Sequence, residues 1–325
     1  MFINVTCSYV PVEIIHAAGF IPRRLIPPAP KEAGLLPRNY CSYARSCVLA
    51  DDAAPVIFTT CCDGLRRCYD VRRAKGDRVF ILDLPRQAKE NNIKNYQQEL
   101  LRMAQWLKEI SAYPAQNGTL SESIKIYQGI RSELKKLVGS TWINRKFYEM
   151  LMAALTDAPE NVLQRLKAFK ANSSLDSAKQ KIRSVLLTGT IFPDPGILDL
   201  LEENSTFVAF ADFCLGERFY LDLNCSSFEE PWLALARAYL SKSPCPRMAG
   251  KSVRAFYIQS VLDRLRPKGV IFYGLKFCDH GLYEVPLWRS ICSERGILFL
   301  HLESEYLSGL PAQLLTRIQA FLETV

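Results

Sequence analysis

Histidine is scarce in this chain. His16, His280 and His301 are the only three in 325 residues, and their spacing gathers no two of them on one metal ion. No C-x-x-C pair occurs among the 11 cysteines, which argues against structural zinc and against ferredoxin-type ligation. There is no G-x-G-x-x-G and no G-x-x-x-x-G-K-[ST], so neither a dinucleotide fingerprint nor a P-loop is present. Without a G-x-S-x-G elbow, a Ser-His-Asp hydrolase has no support. No apolar run approaches the ~18 residues of a membrane span. The start, Met1 to Thr6, lacks the charged opening and apolar stretch of a signal peptide, so a soluble, cytoplasmic protein away from the membrane is expected.

What is present is a hydrophobic content of 49%, enough for a sizeable core and for two ordinary domains. The net charge is +8, and residues 86 to 183, with 17 Lys and Arg against 9 Asp and Glu, account for all of the excess. Apolar residues recur at helical intervals there, over Gln97 to Ile110 and Gly129 to Leu155. Amphipathic helices with solvated basic faces follow, and the lesser reading is a docking face for an acidic protein or a CoA phosphate. No nucleic-acid module is seen, and no nucleic-acid partner is expected.

On either side of this segment, short β-rich runs alternate with helical patterns, the mark of α/β units around mainly parallel sheets. The first region holds runs at 55–60 and 78–83 and a helix at Val12–Ala18 ended by Gly19. The second holds runs at 184–188, 206–211, 269–273 and 297–302, with helices at 231–240, 253–265, 284–294 and 310–323. A polar stretch, Ala171 to Asp176, divides them. The expected domains are residues 1–175, including a helical segment from about 86 to 175, and residues 176–325.

Eleven cysteines in a reducing compartment point to metal or redox chemistry rather than a disulfide framework. Cys62, Cys214 and Cys278 each follow the carboxyl end of a strand, the edge at which open α/β sheets bind ligands. His280, beside Cys278, is a candidate proton donor, while His16 and His301 read as structural.

The ordered motifs Thr6-Cys7-Ser8-Tyr9-Val10-Pro11, Leu36-Pro37-Arg38-Asn39-Tyr40-Cys41, Thr60-Cys61-Cys62-Asp63-Gly64, Asp83-Leu84-Pro85, Asp212-Phe213-Cys214-Leu215-Gly216, Cys245-Pro246, Phe277-Cys278-Asp279 and Gln313 to Glu323 span nearly the whole chain. In this order they resemble the 2-hydroxyacyl-CoA dehydratase D-component family, which includes benzoyl-CoA reductase subunits and double-cubane cluster proteins. The resemblance implies an α/β fold of two Rossmann-like (flavodoxin-like) parallel-sheet domains, a helical segment between them and an iron–sulfur cluster in the interdomain cleft. It implies that Cys41, Cys62 and Cys278 hold one [4Fe-4S] cluster. Cys7, Cys214 and Cys245 match the three further positions of the double-cubane branch, where two cubanes share a sulfide in an [8Fe-9S] centre. The division of the six between the cubanes stays open.

Cys47, Cys61, Cys68, Cys225 and Cys292 match no ligand position and read as core or incidental thiols. Cys61 adjoins Cys62, and neighbouring residues point to opposite sides, so the two are not expected to share a cluster. Asp63-Gly64 is expected to form a tight turn whose N–H groups reach cluster sulfur, or an ordinary turn. Gln313 and Arg317, four apart on one helix face, are expected to stand behind the ligands, while Leu314, Ile318, Phe321 and Leu322 pack inward. The 20 residues between Cys41 and Cys62 make a shorter loop than is usual in the family.

The favoured expectation is an oxygen-sensitive, homodimeric iron–sulfur reductase. It reduces small molecules with low-potential electrons from a separate ATP-hydrolysing activator that carries its own [4Fe-4S] cluster. The alternative is the [4Fe-4S] subunit of a 2-hydroxyacyl-CoA dehydratase, a lyase, or of benzoyl-CoA reductase. In the dehydratase an electron passed to an acyl-CoA thioester gives a ketyl radical that eliminates water, and a second, related subunit is required. The third reading is a non-catalytic iron–sulfur scaffold.

Overall fold

Residues 1 to 82 alternate strand and helix: β1 (Phe2–Val5), α1 (Val12–Ala17), β2 (Ile21–Arg24), α2 (Ser42–Leu49), β3 (Val56–Thr59), α3 (Asp63–Ala74) and β4 (Val79–Leu82). The computed structural model describes residues 1–29, 36–50, 52–111, 119–140, 143–169, 183–191, 194–220, 223, 225, 229–248, 250–306 and 309–325. The Ala171–Asp176 divide expected from sequence lies outside the described residues.

The four strands are parallel in the order β2-β1-β3-β4, with Ile3 opposite Pro22 and Val56 opposite Val79. Pro22 is tolerated because β2 is an edge strand. Next come α4 (Glu90–Ile110), α5 (Leu120–Ser140), α6 (Arg145–Thr156) and α7 (Pro159–Ala168). The periodic stretch Gly129–Leu155, read as continuous in the sequence, is split between α5 and α6. Asn144 makes the break by capping α6, its side chain accepting a hydrogen bond from Phe147 N at 3.0 Å.

The second half contains β5 (Arg183–Gly189), α8 (Gly196–Glu203), β6 (Thr206–Asp212), α9 (Pro231–Ser241), α10 (Lys251–Leu265), β7 (Gly269–Leu275), α11 (Asp279–Glu294), β8 (Leu298–Ser304) and α12 (Ala312–Thr324). Its sheet is parallel in the order β6-β5-β7-β8, so both sheets follow the same winding, the second strand outside the first and the third on its other side. The chain is thus an α/β protein with two doubly wound parallel sheets and helices between and around them.

The halves are joined by packing. One apolar cluster runs from Val56 and Phe58 of the first sheet to Leu187 and Ile271 of the second. Helix α9 crosses back, so that Leu235, Ala236 and Tyr239 bury with Ile3, Val5, Tyr96 and Leu100. Its start suits that role: Pro231 opens the helix, and the Glu230 carboxylate accepts from Trp232 N and Leu233 N, both at 3.0 Å. At the close of β5, Gly189 has φ +142°, and a Cβ there would lie 1.9 Å from the Tyr273 carbonyl oxygen, so only glycine lets the strands approach.

Candidate functional site

In a doubly wound sheet the first strand's neighbours lead their helices to opposite faces, leaving a crevice at the carboxyl edge. Cys7 follows β1 and Cys62 follows β3, the two strands flanking that crevice in the first sheet; Thr190 follows β5 and Cys278 follows β7, their counterparts in the second. The two crevices open into one cavity of about 380 Å³. Cys7, Cys41, Cys62, Cys214, Cys245 and Cys278 all line it, and so does Cys61. The six thiols singled out in the sequence are therefore brought together, and a seventh joins them. Alternation fails as a guide to Cys61 because the chain has already left β3 and is turning at that residue.

Two different settings hold the thiols. Cys41, Cys62 and Cys278 are the N-cap residues of α2, α3 and α11, so three helix N-termini meet the cavity. Leu65 N donates to Cys62 Sγ at 3.4 Å. Asp63 and Gly64 both line the cavity, but they form the first turn of α3 instead of a separate tight turn. The helix begins at Asp63 because Cys62 is its cap, and it is Leu65 that reaches the sulfur. Gly281 permits close approach on the far side, since a Cβ there would fall 2.1 Å from Thr190 Cγ2.

Cys7, Cys214 and Cys245 lie in loops backed by buried cations. Arg24 Nη2 donates to Cys214 Sγ at 3.1 Å, and Arg247 N donates to Cys245 Sγ at 3.3 Å. The loop after Cys7 is fixed by Lys242, whose Nζ donates to the Ser8 and Arg218 carbonyls and sits 4.4 Å above the Tyr9 ring. Beneath Cys214 and Cys245 runs a buried ionic network. Arg218 Nε binds Asp212 Oδ1 at 2.7 Å, Arg254 bridges Asp212 to Glu284, and Arg254 Nη1 holds the Pro244 carbonyl at 2.9 Å. Burial opposes the Asp212 charge, but the two guanidiniums win and hold its carboxyl down to about 2.

Thiol neighbours share protons. A hydrogen bond from Cys278, aided by backbone N–H groups, outweighs burial and lowers Cys41 to about 7, while the same bond and burial raise Cys278. Cys7 is raised by its hydrogen bond with Cys61 and by burial, Cys61 by its bond with Cys62, and Cys245 by burial to about 11.

Other expectations divide. His280 lines the cavity, its ring pushed below the usual histidine range by burial and by Arg247. His16 is a strut between helices, with Nδ1 2.8 Å from Ser123 Oγ and Nε2 2.8 Å from Glu160 Oε1. Cys47, Cys68 and Cys292 are fully buried in apolar clusters, as core thiols should be. Gln313 and Arg317 must be corrected: both are exposed and neither lines the cavity. From its start at Ala312, α12 runs back along the sheet away from the carboxyl edge. Arg317 Nη2 binds the His301 carbonyl in the middle of β8 at 2.8 Å, and Phe321 reaches Gly269 at the start of β7. Leu314, Ile318 and Leu322 do pack inward. Sequence reading missed Arg24, Arg218 and Lys242, because a basic residue carries no sequence signal of burial.

The donor set favours a polynuclear group over a lone ion. Among the described residues no three His, Cys, Asp or Glu side chains lie close enough to hold one metal ion. The thiols instead ring a cavity, and soft thiolates suit iron–sulfur clusters. Arg24, which lines the cavity, already meets one of these sulfurs through Nη2, and its Nε and Nη1 are buried without a partner among the described residues.

Fold and site together define a two-sheet α/β protein with a thiol-ringed pocket between the sheets. The chain belongs to the 2-hydroxyglutaryl-CoA dehydratase, D-component family, whose model matches residues 7–325. Among curated relatives, it is 23% identical to the (R)-phenyllactyl-CoA dehydratase beta subunit of Clostridium sporogenes, over 98% of this chain and 90% of that one. It is 24% identical to a benzoyl-CoA reductase subunit of Thauera aromatica, over 93% and 84% respectively. It is 22% identical to the beta subunit of (R)-2-hydroxyglutaryl-CoA dehydratase of Acidaminococcus fermentans, over 98% and 90%. No described helix is long and apolar enough to cross a membrane.

Proposed function

We propose that this chain is an iron–sulfur reductase of its family. On this reading it holds a double-cubane [8Fe-9S] centre on Cys7, Cys41, Cys62, Cys214, Cys245 and Cys278. One observation carries the reading: Cys7, Cys214 and Cys245, which a single-cluster protein would not need, line the same cavity as the other three. When bound, the centre supplies one-electron reduction at low potential. The chain's own residues do the rest. Helix N-termini and buried cations offset the charge of the thiolates, and Tyr40 and Tyr43 form part of the apolar wall. His280 lines the cavity, where its ring can hand a proton to a molecule bound there. Electrons come from an ATP-hydrolysing [4Fe-4S] activator, in keeping with the lack of nucleotide motifs here. The chain acts as a cytoplasmic homodimer on a small molecule.

The second reading, a [4Fe-4S] subunit of an acyl-CoA dehydratase or reductase, draws support from the relatives, which are named as subunits of such enzymes. Anaerobic iron and acid-labile sulfide analysis separates the two. About eight irons and nine sulfides per chain, falling in C7A, C214A and C245A alike, are expected from the double cubane. About four irons, untouched by the three substitutions, would establish the second reading in its place.

A further inference from the structure

Arg24 ends β2 in the first half of the chain, yet its Nη2 bonds the Cys214 sulfur of the second half at 3.1 Å. The side chain is 4% exposed and lies against Cys7, so its charge sits between two thiols of the loop-held set. Its other donors, Nε and Nη1, are buried and have no acceptor among the described residues. A guanidinium fork left half unpaired in a protein interior is costly, and a carboxylate would be the ordinary remedy. The salt bridges of the cavity wall go elsewhere: Asp212 is engaged by Arg218 and Arg254.

We infer that Arg24 is a positioning residue for the bound iron–sulfur group, holding the Cys214 sulfur through Nη2 and placing a fixed positive charge beside the loop-held thiols. This rests on the reading proposed above. Hydrogen bonds to sulfur and nearby charge are two levers by which a protein sets a cluster's potential. A positive charge favours the form that has gained an electron, so Arg24 raises the reduction midpoint.

The test uses the anaerobically reconstituted full-length chain and its R24M and R24K variants, read by iron content, EPR-monitored redox titration and thermal melting of the iron-free form. R24M is expected to load iron to the wild-type level with a midpoint shifted to lower potential. R24K, which keeps the charge and loses the fork, should recover part of that shift. Full loading with an unmoved midpoint in R24M would overturn the inference. If R24M takes up no iron, R24K decides: loading with a lowered midpoint supports the role, while loading with the wild-type midpoint refutes it. If neither loads, iron-free variants that melt as wild type does support a role toward the group, and a fall in melting temperature in both shows a merely structural arginine. A wild-type chain that binds no iron would instead sink the parent reading.

Discussion

The two sets of thiols around the cavity, here called its helix-capping and loop-held ends, solve one electrostatic problem by different means. At one end, Cys41, Cys62 and Cys278 cap helices, so backbone dipoles and free N–H groups meet the thiolate charge. At the other, Cys7, Cys214 and Cys245 rely on the side chains of Arg24, Arg218 and Lys242, buried at 3–4% exposure and tied down by carbonyls, a sulfur and a carboxylate. A helix terminus comes with the fold and needs no particular residue beyond its cap. A buried cation needs a partner for every donor, so the loop-held end depends on many more side chains.

Alanine at single ligands breaks the comparison most severely. C41A, C62A and C278A are expected to abolish iron binding, whereas C7A, C214A and C245A should cut it from about eight irons to about four, by anaerobic iron assay. Equal losses from both sets would remove the distinction. Next in size is the ionic network under the loop-held end: R254M leaves Asp212 and Glu284 short of a partner and should cost about 3–5 kcal/mol in urea unfolding of the iron-free chain. At the helix-capping end, G281A forces a methyl group against Thr190, and a loss of about 1–3 kcal/mol is expected in the same measurement. The smallest effect separates ligation from capping at a single residue. C62S and C62A should lose iron alike, yet the serine form, which still caps α3, should be more stable by about 1 kcal/mol when iron-free.

The helix-capping end was largely legible in the sequence. Cys62 and Cys278 follow strongly apolar runs, Val56–Thr59 and Gly269–Leu275, and strand ends in α/β folds are where ligands gather. In the loop-held set Cys214 was legible as a strand-end thiol, while Cys7 and Cys245, like Cys41 in the other set, were legible only through motif order. Strand β1 is four residues long, and β2 reads Ile-Pro-Arg-Arg, a sequence that composition assigns to a loop. Arg24 was hidden for that reason, and because the thiol it meets, Cys214, lies 190 positions away in the chain. Gln313 and Arg317 failed in the opposite way: they do share a helix face, but helical periodicity says nothing about which end of the sheet a helix starts from.

The bonds that close the cavity join distant parts of the chain. Arg24 meets Cys214 across 190 positions, Arg45 meets Glu305 across 260, and the Tyr306 hydroxyl meets the Pro27 carbonyl across 279. Contacts of such long range can form only after both halves of the chain exist, and the core of the first sheet likewise waits for α9. During synthesis, Cys7, Cys41, Cys61 and Cys62 emerge well before Cys214, Cys245 and Cys278 exist. Thiols that are neighbours in the finished cavity are therefore made at widely separated times, and an oxidant met in that interval can join the early ones as disulfides.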